Sequence, residues 1–168
     1  MTMQIFDDFL EPGEFNQMQR VFLSEEFPWF YNNNVVCGQS NRDLFQMCHT
    51  FYYAWEWRTD YRNLIAPVVN QLDILQPLRI KANLTFKMDK NYEGGYHIDF
   101  NAKDIIQKNK TAIFYVTTTD GPTLFEDGTK CDCVENRLVL FDNGIQHSGT
   151  FATDAKQRVV VNFNFYTP

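Results

Sequence analysis

Apolar positions repeat with a helical period at two places in the first 77 residues. After a short apolar strand and a turn at Glu11-Pro12-Gly13, one side of the first segment carries Phe15, Met18, Val21 and Phe22. The second segment, residues 60–77, has Pro67 near its first turns and Pro77 at its end, and its apolar positions are Leu64, Ile65, Val68, Val69, Leu72 and Leu75. This spacing predicts two amphipathic helices that pack against a sheet.

From residue 78 onward apolar and polar residues alternate, which is typical of half-buried strands. Turn signals divide this part into predicted strands at 78–88, 95–100, 111–118, 122–126, 137–141, 145–150 and 158–166. Short strands between turns predict a mainly β fold, a double-stranded β-helix or jelly roll, with the N-terminal helices packed on one sheet. We expect one domain over 1–168, in which 1–78 form a helical N-terminal support and 79–168 the jelly-roll core.

Aromatic residues dominate the stretch 45–61 between the two helical segments. Such a stretch forms either a packing layer over the sheet or a wall of a substrate channel, and the frequency of aromatics in ordinary cores favours the packing layer. His49 lies in it without a partner at ligand spacing, so we interpret it as a histidine that is either hydrogen-bonded within the fold or exposed, not as a metal ligand.

Composition and charge narrow the functional classes. The net charge is −6, from 15 basic and 21 acidic residues, and the basic residues are scattered, so the basic patch of a dedicated nucleic-acid binder is missing. The N-terminus lacks the features of a signal peptide and no apolar run reaches membrane-spanning length, which predicts a cytoplasmic protein, in the host cytoplasm if a phage encodes it. The four cysteines are then expected as free thiols, with Cys131 and Cys133 in a strand or turn rather than a metal site.

Candidate chemistry begins with His97 and Asp99, two residues apart in a predicted strand. Side chains at i and i+2 of a strand leave the same face, so this imidazole and carboxylate can converge on one ion. His147 follows the turn at 142–144 and offers a third ligand. Two imidazoles and one carboxylate form a ligand set that suits non-haem Fe(II), and Arg158 adds a cation that can hold a carboxylate in bidentate fashion.

The order His97, Asp99, His147 and Arg158 resembles that of the Fe(II)- and 2-oxoglutarate-dependent dioxygenases, especially compact microbial or phage members related to prolyl 4-hydroxylases. The resemblance covers roughly the second half of the chain. It implies Fe(II) bound by the two histidines and the aspartate, with 2-oxoglutarate as cosubstrate and dioxygen as oxidant. Enzymes of this kind can also use ascorbate as a cofactor. The implied reaction converts 2-oxoglutarate to succinate and CO2 and hydroxylates a substrate, or demethylates it at an N-methyl carbon.

The resemblance also implies roles for residues outside the metal site. Arg158 pairs with the distal carboxylate of 2-oxoglutarate, and Tyr115 resembles the tyrosine that donates a hydrogen bond to the same carboxylate, although a plain core tyrosine is an equal alternative. Asn83 and Thr123 are candidates for lining the pocket. An ordinary structural role is favoured for these two residues and for the strand residues Asn162 and Asn164.

Three further expectations concern the pocket and its surroundings. We expect Arg158 on the strand paired with that of His147, deeper in the barrel. Residues 101–110, with Ile105 and Ile106, form either a lid over the metal or a plain connection. The segment 121–123 replaces the paired glycines of many relatives, so the pocket floor is expected to differ.

Two residues also narrow the reactions that the resemblance implies. Arginine at position 158 argues against the collagen-modifying branch, and Asp99 argues against halogenation.

The sequence leaves three functions open. The first is a 2-oxoglutarate-dependent hydroxylase acting on a prolyl or other peptidyl residue, or on a small molecule. The second is a non-catalytic jelly-roll binding module that a metal organises. The third is a zinc hydrolase with the same triad, for which no general base is apparent. The oligomeric state is open as well.

Overall fold

Two antiparallel sheets and two helices make up the computed structural model, which describes residues 3–36, 44–100 and 109–168. The helices are α1 (Pro12–Phe22) and α2 (Arg62–Gln71). The strands are β1 (Gln4–Phe6), β2 (Phe30–Asn32), β3 (Gln46–Tyr53), β4 (Glu56–Trp57), β5 (Gln76–Phe86), β6 (Asn109–Tyr115), β7 (Thr119–Phe125), β8 (Lys130–Cys133), β9 (Leu138–Asp142), β10 (His147–Gly149) and β11 (Gln157–Tyr166).

The larger sheet has eight strands in the order β1-β9-β6-β11-β5-β3-β2, with β4 paired to β3. The smaller sheet has the order β10-β7-β8. This arrangement confirms the predicted mainly β, double-sheet jelly roll. None of the described helices is long and apolar enough to cross a membrane.

Alternation along the central strands gives the larger sheet two different faces. On one face, apolar side chains of β5, β6 and β11 join those of both helices in the main core, which contains Phe15, Met18, Phe22, Ile65, Val68, Ile80, Ala82, Leu84, Phe114, Val159, Val161 and Phe163. The helices therefore cover one face of this sheet, as their spacing predicts. The opposite face carries the polar members of the same alternation and turns toward the smaller sheet.

A second apolar cluster joins the two sheets at one end. Phe125, Cys131 and Cys133 from the smaller sheet pack with residues of β6 and β9 such as Ile113 and Phe141. The two cysteines are buried free thiols at alternating positions of β8, in agreement with a strand. The predicted strand ranges omit β8, while the expectation of a strand or turn at the two cysteines agrees with it.

Four local predictions need correction. Residues 95–100 do not form a regular strand, because the only ladder contact there is an isolated bridge between His97 and His147. The aromatic stretch 45–61 is not a layer over the sheet, since most of it forms β3 and β4 within the sheet. Helix α2 ends at Gln71, which leaves Leu75 exposed and Pro77 inside β5.

The fourth correction concerns Arg158. Strand β11 pairs with β5 and β6, whereas β10, which carries His147, pairs with β7. The two residues therefore come from different sheets that face each other. Most of the predicted lid, residues 101–108, lies outside the described residues.

Asn136 connects the N-terminal segment to the core. Its backbone lies in the left-handed region, with φ of +58°. Its side chain accepts a hydrogen bond from Leu10 N at 2.9 Å and donates one to Leu10 O at 2.8 Å. Both bonds are buried, so removal of this amide would take one hydrogen-bond partner from each of the two backbone atoms of Leu10.

We expect Asn136→Ala to lower the free energy of unfolding by roughly 2–4 kcal/mol, because it leaves buried polar groups unpaired and places a Cβ-bearing residue without a local hydrogen bond at positive φ. Urea denaturation followed by circular dichroism measures this change. Asn16→Ala, at an exposed position of α1, is the control and should shift stability by no more than about 0.5 kcal/mol. Equal stability of the two variants would contradict the connecting role of Asn136.

Candidate metal site

The two candidate histidines meet through their backbones. His97 N donates to His147 O at 3.0 Å and His147 N donates to His97 O at 3.1 Å, which makes an antiparallel bridge between residues fifty positions apart. Side chains of such a directly opposite pair lie next to each other. The imidazole centroids are accordingly 4.6 Å apart. This isolated bridge, and not a strand over residues 95–100, sets His97 beside His147.

Glycine permits the close approach of these two chain segments. Gly94 N donates to Gly149 O at 2.8 Å, and a Cβ at position 94 would lie 2.8 Å from a methyl carbon of Val35 and 3.1 Å from that carbonyl. The next residue, Gly95, has φ of +109°, which side-chain-bearing residues rarely adopt. Both glycines thus help to bring His97 beside His147.

Local hydrogen bonds set the tautomer of both rings. Nδ1 of His97 lies 3.1 Å from the carbonyl oxygen of Gly95, and Nδ1 of His147 lies 3.1 Å from that of Ile145. A carbonyl oxygen only accepts, so each Nδ1 carries the proton and donates it. In the neutral form of a ring with this tautomer, Nε2 presents a free lone pair, which is the form that binds a metal ion.

Asp99 completes the set at ligand distance. Its Oδ1 is 3.6 Å from His97 Nε2 and its Oδ2 is 3.9 Å from His147 Nε2. One ligand atom from each residue lies within 4.8 Å of the others. His97, Asp99 and His147 therefore converge on one point that a metal ion can occupy.

A cation and an amide hold the Asp99 carboxylate. Arg79 Nη2 donates to Oδ1 at 2.6 Å, and Asn164 Nδ2 donates to Oδ2 at 2.7 Å. Arg79 Nε also donates to Asn164 Oδ1 at 3.1 Å, so the three side chains form a closed ring of hydrogen bonds. Neighbouring Thr111 accepts from Asn164 at 3.0 Å. The carboxylate is thereby fixed in orientation.

The surroundings of Asp99 and His147 also determine the charge of each side chain. Burial raises the pKa of the Asp99 carboxyl, but the surrounding groups, the Arg79 guanidinium first among them, lower it more, so the pKa lies well below its usual range. Burial lowers the pKa of His147 against the attraction of Asp99, so this ring is neutral at neutral pH. Its Nε2 is buried and has no hydrogen-bond partner in the described part of the chain. An ionised carboxylate and a neutral imidazole are the ligand states that a metal requires.

Arg158 is a buried cation that lacks a carboxylate partner. Its side chain is 5% exposed, its Nε donates to Gly121 O at 2.7 Å, and its Nη2 donates to Thr123 Oγ1 at 3.4 Å. A Cβ at Gly121 would lie 2.9 Å from the carbonyl oxygen of Thr150 and 3.2 Å from Arg158 Cδ, so glycine lets the guanidinium pack here. Across residues 3–36, 44–100 and 109–168, no acidic side chain forms an ion pair with it.

Tyr115 supports this end of the cavity from behind. It is fully buried, and its hydroxyl donates to Thr123 Oγ1 at 2.8 Å. Its ring centroid lies 5.9 Å from Arg158 Cζ. Burial raises the pKa of the phenol well above its usual value, so Tyr115 remains neutral. The structure thus places its hydroxyl on Thr123, and contact with a bound carboxylate stays a prediction.

One cavity of about 290 Å³ brings the candidate residues together. Its walls include the side chains of the metal-site residues His97, Asp99 and His147, that of Arg158, and the predicted pocket residues Asn83 and Thr123. Asn162 also lines the cavity. Asn164 does not line it and instead donates a hydrogen bond to Asp99. His49 is remote from this cavity, in an aromatic environment of Phe27 and Phe51.

Sequence reasoning missed Arg79, and it treated Asn164 as an ordinary strand residue. The available signal was the alternation of polar residues at 79, 81, 83 and 85 of one strand and at 158, 162 and 164 of another. Because every second residue of a strand shares a face, these positions form one polar surface once the strands are neighbours. The pairing of Arg79 with Asn164 across β5 and β11 places both against Asp99.

We expect Arg79→Met to weaken the binding of Ni(II) about 10- to 100-fold, because loss of an outer partner leaves the ligand carboxylate less well oriented and its buried charge uncompensated. Isothermal titration with Ni(II) measures the dissociation constant. The matched control is Arg20→Met in α1, whose guanidinium contacts only the helix backbone at Asn16 in the described chain. Unchanged Ni(II) affinity in Arg79→Met would show that Asp99 needs no such support.

The sequence matches no protein-family model and no curated protein. Solved structures, in contrast, match almost the whole chain. A viral collagen prolyl hydroxylase from Paramecium bursaria Chlorella virus-1, in complex with 2-oxoglutarate, has a TM-score of 0.63 at 12% identity, with 100% of this chain and 97% of that chain covered. A Pseudomonas putida prolyl-4-hydroxylase has a TM-score of 0.63 at 14% identity, with coverages of 99% and 92%.

HygX from Streptomyces hygroscopicus, with nickel and 2-oxoglutarate bound, has a TM-score of 0.64 at 10% identity, with 98% of this chain and 82% of that chain covered. At such identities the similarity concerns the fold. The chain therefore has the fold of the 2-oxoglutarate- and Fe(II)-dependent oxygenases, prolyl hydroxylases among them, as the sequence resemblance predicts.

Proposed function

We propose that the protein is an Fe(II)- and 2-oxoglutarate-dependent oxygenase. The observation that carries this proposal is the joint presence, on one cavity, of three convergent metal-ligand side chains and a buried arginine without an acidic partner in the described residues. Either feature alone occurs in proteins of many kinds. Together they match the two requirements of this chemistry, a metal ion and a dicarboxylate.

The residues fit ferrous iron. His97 and His147 each offer an unprotonated Nε2, Asp99 offers an ionised carboxylate, and His147 Nε2 is a buried acceptor that nothing in the described chain satisfies. Two histidines and one carboxylate leave coordination positions free, which is the donor set of non-haem Fe(II) oxygenases. Among the cavity-lining residues in the described ranges Asp99 is the single acid, which leaves a zinc hydrolase without a carboxylate base.

The residues also fit 2-oxoglutarate. A buried guanidinium without a counter-ion is costly, and the distal carboxylate of a dicarboxylate bound in this cavity would compensate Arg158. Thr123 contacts both Arg158 and Tyr115, so it orients the donors at this end. A simple binding module has no need of such a cation at depth. This favours the oxygenase over the metal-organised module.

Ferrous iron bound in this way supports the reaction of 2-oxoglutarate and dioxygen to succinate and CO2, with the second oxygen atom inserted into a C–H bond of the substrate. His97, Asp99 and His147 hold the ion, and Arg79 with Asn164 keep Asp99 ionised and oriented. Arg158 orients the cosubstrate from the opposite end. The side chains of Asp99 and His147 are buried, which strengthens the charge interactions at the metal end.

We propose hydroxylation of a prolyl or other peptidyl residue as the first reaction to test, because two of the structures with this fold are prolyl hydroxylases. Arg158, Tyr115, Asn83 and Thr123 are the proposed cosubstrate-contacting residues. A small-molecule substrate is the second class, since HygX with hygromycin B bound shares the fold to a similar degree, with a TM-score of 0.63.

Purified protein reconstituted with Fe(II) under anaerobic conditions should develop a weak visible charge-transfer band on addition of 2-oxoglutarate, and should release succinate on exposure to air. Asp99→Ala should abolish both signals, because two imidazoles alone hold Fe(II) too weakly. Optical spectroscopy and succinate quantification provide the readouts. Succinate release by Asp99→Ala at the wild-type rate, or no band in the wild type, would refute the proposed activity.

We expect Arg158→Gln to raise the dissociation constant for 2-oxoglutarate by about 30- to 1,000-fold, because truncating one partner of a buried charge pair costs roughly 2–4 kcal/mol. Ni(II) affinity should stay within about twofold of the wild type. Titration of the Ni(II)-loaded protein with 2-oxoglutarate measures the first quantity. The control variant is Lys87→Gln, at an exposed position outside the cavity. It should leave the affinities for Ni(II) and for 2-oxoglutarate unchanged.

A further inference from the structure

We propose that the substrate carries an anionic oxygen group, a carboxylate or a phosphate, and that Lys81 binds this group at the mouth of the metal cavity. This inference rests on the proposed function and adds the chemical class of the second substrate. It follows from the position of Lys81, from the charge of the cavity wall, from unsatisfied polar atoms beside it, and from the groove that opens there.

Lys81 lies on the polar face of β5, between Arg79 and Asn83, and its side chain lines the metal cavity. It is partly buried, and no hydrogen bond or ion pair joins its ammonium group to any described residue. Arg79, by contrast, is engaged by Asp99, and Arg158 by Gly121 and Thr123. Lys81 is therefore the cation of this wall that is available to an incoming ligand.

The charge balance of the cavity points in the same direction. Its described wall contains three cations, Arg79, Lys81 and Arg158, against the single acid Asp99, although the whole chain carries a net charge of −6. Ferrous iron and the 2-oxoglutarate dianion cancel each other, so their binding leaves this surplus of positive charge in place. A low-dielectric cleft lined by one sign of charge attracts ligands of the opposite sign.

Unsatisfied polar atoms accompany Lys81 on the same wall. Asn162, its partner across β5 and β11, has a buried Oδ1 without a hydrogen-bond partner in the described chain. Thr85, two positions past Asn83 and 7% exposed, has a buried Oγ1 in the same condition. Buried polar atoms are normally paired, so these two indicate a polar ligand in the cavity. The Thr85 hydroxyl can donate to an anionic oxygen, whereas Asn162 Oδ1 can only accept and would pair with a donor elsewhere on the ligand.

A second groove meets the metal cavity at Lys81. Lys81 and Asn32 line both spaces, and the groove continues over β2 and β3 past Phe30, Thr50 and Arg58. Phe30 is 63% exposed there. A substrate that extends along this groove has its charged group beside Lys81 before its reactive carbon reaches the metal. Lysine suits this position, because its ammonium is a flexible point charge.

Acetate and its neutral isostere acetamide are suitable probes. We would load the protein with paramagnetic Co(II), saturate it with 2-oxoglutarate without oxygen, and titrate each probe while measuring the relaxation of its methyl protons. Wild-type protein should bind acetate and not acetamide. Lys81→Gln should weaken acetate binding about 10- to 100-fold, because it removes a charge-assisted hydrogen bond. Lys81→Arg should retain most of the affinity, and Lys87→Gln should equal the wild type.

Each other result is decisive as well. Equal acetate binding by wild type and Lys81→Gln, or equal binding of acetate and acetamide, overturns the assignment. A weaker affinity for 2-oxoglutarate in Lys81→Gln, with acetate binding unchanged, assigns Lys81 to the cosubstrate and also overturns it, while the proposed oxygenase stands. Failure of the wild-type Co(II) protein to bind 2-oxoglutarate is a failure of the proposed function itself.

Discussion

The ion pair between Arg79 and Asp99 is the interaction on which the candidate site depends. A carboxylate as buried as that of Asp99, 3% exposed, stays ionised only when a cation or several donors compensate it. Arg79 provides the charge, and Asn164 provides a second donor to the other oxygen. Since the carboxylate is thereby anchored on β5 and β11, the loosely paired segment that carries Asp99 and His97 is anchored with it. Hydrogen bonds thus hold the ligand carboxylate in place although that segment is not a strand.

The two faces of the larger sheet have different roles, since one carries the apolar core and the other the polar wall of the cavity. One face buries aliphatic and aromatic side chains beneath α1 and α2, which stabilises the fold through removal of apolar surface from water. The other face keeps arginine, lysine, asparagine and threonine in the space between the sheets. Strand alternation allows one chain segment to serve both purposes, so Ile80 belongs to the core while Arg79 and Lys81 belong to the cavity. Neighbouring residues of one strand thus serve different roles, one in the apolar core and the next in the cavity wall.

Charge is distributed unevenly with respect to this cavity. The chain as a whole is acidic, yet the cavity wall has an excess of cations. Arg79 is committed to the metal-ligand carboxylate, Arg158 stands at the far end among Gly121, Thr123 and Tyr115, and Lys81 stands where a second groove begins. Under the proposed function, the metal-ligand carboxylate, the cosubstrate and the substrate would each face a different cation. An anionic cosubstrate and an anionic substrate would then not compete for one residue.

The sequence by itself determined the mainly β class, the two covering helices and the set His97, Asp99, His147 and Arg158, because strand alternation, helical period and the rarity of histidine are local or compositional signals. It could not determine which strands are neighbours. Arg158 lies on β11 beside β5, not beside the strand of His147, and Arg79 reaches Asp99 only because β5 and β11 place it next to Asn164. His97 and His147 meet through one isolated bridge, where the local pattern predicted a full strand. Such contacts join residues far apart in the chain, and their partners are chosen by the packing of the two sheets, so only the tertiary structure decided them.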